Sequence, residues 1–233
     1  KFNCFTKFIY DQLLMTAEFF LDVRDSGTGP AIIFTHGWTD NRSAWDDVIE
    51  SLQDEARCLA WSIRGHGNSF SPPPGEYTRD HTLSDLKWIT EKSEGKVILA
   101  GHSLGGYLSL AHCLLHPENV AALILVGAGP GFRKKESIDQ WNSSVIKSAK
   151  ELDLPEGSEA TALHTDAWVI DSLSEIQVPT LVIVGEHDKR FRVSMSVFEK
   201  YLNVKSSVVV KDAGHSVHRK KPEQVADAIK EFL

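Results

Sequence analysis

Lys96-Val97-Ile98-Leu99-Ala100-Gly101-His102-Ser103-Leu104-Gly105-Gly106 carries an apolar run into a serine set between glycines, and residues 104–116 continue in an apolar pattern at helical spacing. An apolar run of this kind, unbroken by polar positions, reads as a strand covered on both faces, as central parallel strands are. Gly101-His102-Ser103-Leu104-Gly105 fits G-x-S-x-G in the strand, turn and helix context that the pattern requires. The glycines two positions on either side of Ser103 leave room for a turn at which a Cβ would collide, and such a turn lifts the hydroxyl clear of the sheet. Three fixed positions of such common residues arise by chance in roughly one chain of this length in ten, so the context carries the weight.

The same rhythm extends in both directions. Strand-like runs fall at residues 18–24, 31–35, 57–61, 96–100, 121–126, 180–184 and 207–210, with helical patterns at 43–53, 82–94, 104–116, 193–202 and 222–233. Short β-branched runs alternating with helices predict an α/β fold, a mostly parallel sheet flanked by helices on both faces. The alternation breaks once. After Gly127-Ala128-Gly129-Pro130-Gly131 some fifty residues pass before the next strand, with helix-like patches at 136–152 and 158–173. A detour of that length predicts a small helical cap insertion over residues 128–177, between core segments 15–127 and 178–233. Trp141 and Trp168 are its large apolar side chains and the candidates for substrate contact.

The 233 residues suit one compact domain, and 42% hydrophobic with 24% charged residues sets aside disordered and collagen-like classes. A net charge of −7 without long like-charge blocks gives no footprint for a phosphate backbone, so nucleic acid is not an expected partner. Cys4, Cys58 and Cys113 are odd in number and irregularly spaced, which suggests neither a disulfide framework nor a zinc site and fits a reducing cytoplasm. No run reaches the length needed to span a bilayer, and residues 1–14 carry Asn, Thr, Lys and Asp among their aromatics, unlike a signal-peptide core. For that aromatic-rich stretch two readings stand: an extension ahead of a natural start at Met15, or an extra surface helix. The ten histidines form no H-E-x-x-H pattern, and no metal or cofactor is expected.

A serine hydroxyl needs a base, and the base needs a third group to fix its tautomer. Downstream, Asp212-Ala213-Gly214-His215 follows the last strand-like run, and Gly185-Glu186-His187-Asp188 follows the one before it. Loops at the carboxyl ends of parallel strands share one edge, so Ser103, Asp188 and His215 can converge there. His218 is the second candidate base. Glu186 and Asp212 compete with Asp188, which is preferred because it closes its loop segment on a shorter side chain. An oxyanion hole would draw one backbone N–H from Leu104, at a helix N-terminus, and one from Trp38 in the His36-Gly37-Trp38 loop after an inner strand. His36 itself reads as a structural imidazole tying loops together.

From residue 17 to residue 233 the chain resembles the α/β-hydrolase fold enzymes. The resemblance rests on His36-Gly37-Trp38, Arg64-Gly65-His66-Gly67-Asn68-Ser69, the turn at Ser103, Gly185-Glu186-His187-Asp188, and Gly214-His215 ahead of a terminal helix. It implies a Ser103 nucleophile, a His215 base and an Asp188 orienting acid, with Trp38 and Leu104 at the oxyanion hole. The serine separates it from epoxide hydrolases and haloalkane dehalogenases of this fold, which place Asp at the turn. Two departures stand out. Ser62 occupies a position where the family commonly has an acid, whose role is then absent or supplied elsewhere, and the cap is small. The expected reaction is hydrolysis of a small or short-acyl carboxylic ester without a cofactor. A lactone, a thioester or a C–C bond could be cleaved by the same residues, and a non-catalytic ligand receptor is the alternative from another class.

Overall fold

A computed structural model of the chain describes residues 20–233. The expectations for residues 1–14 and Met15, and for the first residues of the 18–24 strand, lie outside the described residues. The apolar runs form one seven-stranded sheet of β1 (Val23–Ser26), β2 (Ala31–Thr35), β3 (Arg57–Trp61), β4 (Val97–His102), β5 (Val120–Val126), β6 (Pro179–Gly185) and β7 (Asn203–Val210). Their order across the sheet is β1-β3-β2-β4-β5-β6-β7; β1 runs antiparallel to β3 and every other pair is parallel. The helices are α1 (Asp46–Leu52), α2 (Arg79–Thr90), α3 (Leu104–Leu115), α4 (Lys135–Glu151), α5 (Trp168–Asp171), α6 (Lys189–Tyr201), α7 (Val217–Lys220) and α8 (Pro222–Phe232).

The pleat divides each apolar run between two cores, because successive side chains point to opposite faces. Ile33, Leu59, Leu99, Leu123 and Val182 meet Leu86 of α2, Leu108 of α3 and Phe198 of α6 on one face. Ile32, Phe34, Ile98, Ile124 and Leu181 meet Val48 and Leu52 of α1 and Val225 and Ile229 of α8 on the other. The strands that read as continuous apolar runs are thus those with helices on both sides. Among the described residues no helix is long and apolar enough to cross a membrane, and Cys58 and Cys113 are buried free thiols.

Local chemistry accounts for the differences from the sequence reading. Thr78 caps α2 by accepting from His81 N–H, which starts that helix at Arg79 rather than at residue 82. Asp188 does the same for α6 through Phe191 N–H, which starts it at Lys189 rather than residue 193. β7 is an edge strand whose exposed Lys205, Ser206 and Ser207 hide its first half from a hydrophobicity scan. The expected helix at 158–173 is corrected: only a 3-10 turn at Ser158–Thr161 and the short α5 form there. Beyond the turn the backbone is taken up in part by α4, with Trp141 Nε1–H donating to Ala162 O at 2.8 Å and Asn142 taking both His164 O and His164 N–H.

The loops at the carboxyl edge of the sheet are packed with imidazoles. His36 Nδ1–H donates to Gly37 O at 2.7 Å while Nε2 accepts from Ile63 N–H at 2.9 Å, a pair of roles that only the neutral ring can fill. Burial, with repulsion from neighbouring imidazoles, pushes His36 and His102 down to about 3. Burial holds His112 and His164 near 4, and His66 and His218 also below the ordinary value. An unfolded histidine binds its proton near pH 6.5, whereas these folded ones bind theirs below it, and all but His66 well below it. Between those limits the unfolded chain holds more protons, so stability falls as pH falls, by up to about 1.4 kcal/mol per pH unit for each group. Urea unfolding is expected to show a loss of several kcal/mol between about pH 6.5 and 5; an unfolding free energy that stays level over that interval contradicts the neutral-imidazole assignment.

Candidate active site

Ser103 stands between β4 and α3 with φ 51° and ψ −111°, a left-handed backbone that serine rarely adopts. Its N–H donates to Val126 O at 3.0 Å, and its carbonyl accepts from Gly106 N–H at 3.1 Å and Tyr107 N–H at 3.2 Å. The surrounding glycines hold this shape by what they lack. A Cβ on Gly101 would strike the carbonyl group of Gly105, and one on Gly105 would strike that of Thr35, so three backbones meet in direct contact below the serine. Ser103 is 8% exposed and lies on the wall of a cleft of about 640 Å³.

His215 and Asp188 border the same cleft. The His215 Nδ1–H donates to Asp188 Oδ2 at 2.8 Å, and the Asp188 side chain is buried while that of His215 is 41% exposed. The other oxygen of Asp188, Oδ1, accepts from Phe191 N–H at 3.3 Å, and the Phe191 ring stacks on His215 at 4.7 Å with 18° between the planes. One carboxylate thus fixes the imidazole and the helix that carries its stacking partner. From another side His102 Nε2–H donates to His215 O at 3.0 Å, tying the histidine's backbone to the serine's neighbour. Of the competing carboxylates, Glu186 accepts from Asp212 N–H at 3.2 Å instead. With exposed His187 these two acids bring ligand atoms within 4.8 Å of one another on the outer surface. His218, the second candidate base, is wholly buried between Trp45 and His102.

The loop after β2 crosses next to the serine: a Cβ on Gly37 would stand 3.4 Å from the Cβ of Ser103. Among the described residues neither Trp38 N–H nor Leu104 N–H is taken up by a backbone carbonyl. The Trp38 indole donates to Ser148 Oγ of α4 at 2.8 Å, which links this loop to the excursion between β5 and β6. Trp141 lines the cleft, with the Arg190 guanidinium 5.2 Å from its ring centroid. Trp168 does not, and the expectation for it is corrected. Its ring packs under Arg79, which pairs with Asp166 through two bonds of 2.9 and 2.8 Å, and that stack holds Trp168 away from both pockets at Ser103. Arg190, Phe191 and Ser148 border the cleft without having been singled out in the sequence. The first two were findable, since they follow Asp188 in the first turn of α6.

The Arg64 loop is a brace. Arg64 grips buried Asp85 through two bonds of 2.6 Å and Glu76 O through a third. At Ser62 a carboxylate arrives from elsewhere in the chain: Asp22 Oδ2 accepts from Ser62 Oγ at 3.2 Å, and its Oδ1 accepts from Arg42 at 2.6 Å.

Comparison with known proteins agrees with this architecture. A curated Bacillus subtilis (strain 168) protein, provisionally named 2-succinyl-6-hydroxy-2,4-cyclohexadiene-1-carboxylate synthase, is 26% identical over 262 residues, spanning 91% of this chain and 93% of its own. The pimeloyl-[acyl-carrier protein] methyl ester esterase of Nitrosomonas europaea is 32% identical over 119 residues, 49% of this chain and 44% of the esterase. The solved structure of a thermophilic esterase from Thermogutta terrifontis superposes with a TM-score of 0.77 at 26% identity, covering 91% of this chain and 92% of that one. The model of the alpha/beta hydrolase fold family matches residues 30–152, more than half of the sequence, and the chain belongs to that family.

Proposed function

We propose that the protein hydrolyses a carboxylic ester of small or short acyl chain through an acyl-enzyme on Ser103. The observation that carries this reading is the 2.8 Å bond from His215 to buried Asp188, made on the wall of the cleft that also holds the strained serine. With Nδ1–H committed to the carboxylate, the His215 ring keeps Nε2 free to accept the serine proton as the oxygen attacks the ester carbonyl. Trp38 N–H and Leu104 N–H are the donors for the negative charge that develops on the carbonyl oxygen. The imidazolium then protonates the departing alcohol, and water repeats the sequence to release the acid. Residues 128–177 act as a small cap in this reading, and Trp141, Ser144, Val145 and Ser148 are the members that reach the cleft. The chemistry requires no cofactor.

Replacing Ser103 or His215 by Ala should lower kcat/KM on a short-chain aryl ester by about four to six orders of magnitude. Asp188→Asn should cost about two to four orders, because the imidazole loses its fixed tautomer. Glu186→Gln, which touches only the outer loop, should leave turnover unchanged; the reverse ranking of the two acid variants overturns the triad. A fluorophosphonate probe should label the wild type and not Ser103→Ala. Failure to label the wild type favours a ligand receptor.

A further inference from the structure

Beside Ser103 a side pocket of about 70 Å³ opens between Leu104, Tyr107, Gly129, Phe132, Trp141 and His164. The centroid of the His164 ring lies 4.5 Å from that of Tyr107, 5.3 Å from Phe132 and 5.7 Å from Trp141, each contact edge to face. Its backbone is clamped by Asn142, with 2.8 Å from Asn142 Nδ2–H to His164 O and 2.9 Å from His164 N–H to Asn142 Oδ1. The residue is 6% exposed, yet its ring Nδ1 is buried with no partner among the described residues. A buried polar atom left without a partner costs about 1–3 kcal/mol, and a phenyl ring would complete the aromatic box without that cost. His66, His102, His112 and His218 also carry unpartnered ring nitrogens; of these His102 borders the main cleft, and none borders this pocket.

Two features describe the missing partner. An apolar cavity of roughly 150 Å³ takes a six-carbon ring, so this pocket takes about three or four non-hydrogen atoms. Burial keeps His164 neutral, with its pKa pushed down to about 4, so the ring has both a donor and an acceptor nitrogen and suits an uncharged group. Arg79, whose charge also disfavours an imidazolium here, is already committed to Asp166, and Arg190, which lines the pocket as well, lies over the Trp141 ring.

We infer that this pocket receives the acyl chain of the ester, about three or four atoms beyond the carbonyl, and that a hydroxyl or keto oxygen on that chain hydrogen-bonds to His164. The inference rests on the ester-hydrolase reading and narrows its substrate class to short oxygenated acyl esters.

Acid release by wild type and His164→Phe should be compared on two near-isosteric pairs with four atoms beyond the carbonyl, methyl 3-hydroxybutanoate against methyl 3-methylbutanoate and methyl 3-oxobutanoate against methyl 3-methylbut-3-enoate. Wild type should favour the oxygenated member of at least one pair by about tenfold or more in kcat/KM, because the site's polar group is otherwise left unpaired. His164→Phe should erase that preference. Equal rates on both pairs in wild type, or a preference that survives in His164→Phe, overturns the pocket assignment and leaves the ester reading standing. A higher rate on monomethyl succinate than on any of the four reassigns the pocket to a carboxylate met by Arg190 at its mouth and overturns the proposal. Absence of turnover on every ester overturns the ester reading and the pocket assignment together.

Discussion

The contact of three backbones below Ser103 is the constraint on which the site depends. β4 ends, α3 begins and β2 passes within reach of one another only because Gly101 and Gly105 carry no side chains. That closeness holds Ser103 in a conformation costing about 1–3 kcal/mol, which persists because sheet and helix fix both its ends. The strain places a hydroxyl at the carboxyl edge of a parallel sheet, where the loops of other strands converge. The cost of the turn and the formation of the site are therefore one structural fact.

Asp188 extends the same economy to the imidazole. Its two oxygens bind the His215 ring and the first turn of α6, so the carboxylate is set by helix capping before any chemistry is considered. Burial then keeps the neighbouring histidines neutral, which matters because a charged His102 beside His215 would oppose an imidazolium there. The excursion between β5 and β6 completes the cleft through two hydrogen bonds, Trp38 to Ser148 and Trp141 to Ala162.

What was legible in the sequence followed from local rules. The strands β2, β4, β5 and β6 stood out because burial on both faces makes them continuously apolar, and the serine turn because its glycines are demanded by backbone collisions. Topology singled out the loops after the last two strands, and within them Asp188 was preferred to Glu186 and Asp212 on its position and shorter side chain, and His215 to His218 on its place after the last strand. Trp168 was misjudged because an aromatic residue in a cap can face either way, and its direction is decided by Arg79 and Asp166, which are distant in sequence from each other. The helix expected at 158–173 failed for a similar reason, since Asn142 and Trp141 offer its backbone partners that no local pattern reveals. The bond from Ser62 to Asp22 is likewise a tertiary contact, invisible until β1 and β3 are paired.

The central claim is that the Ser103 oxygen becomes acylated. Mixing the protein with 4-nitrophenyl acetate, quenching in acid within the first turnover and mapping the peptides by mass spectrometry tests it directly. The account predicts a single acetyl group on the peptide containing Ser103, formed with the burst of nitrophenolate and absent from Ser103→Ala. Steady release of nitrophenolate with Ser103 unmodified, or acetylation of another residue at the same rate, contradicts it.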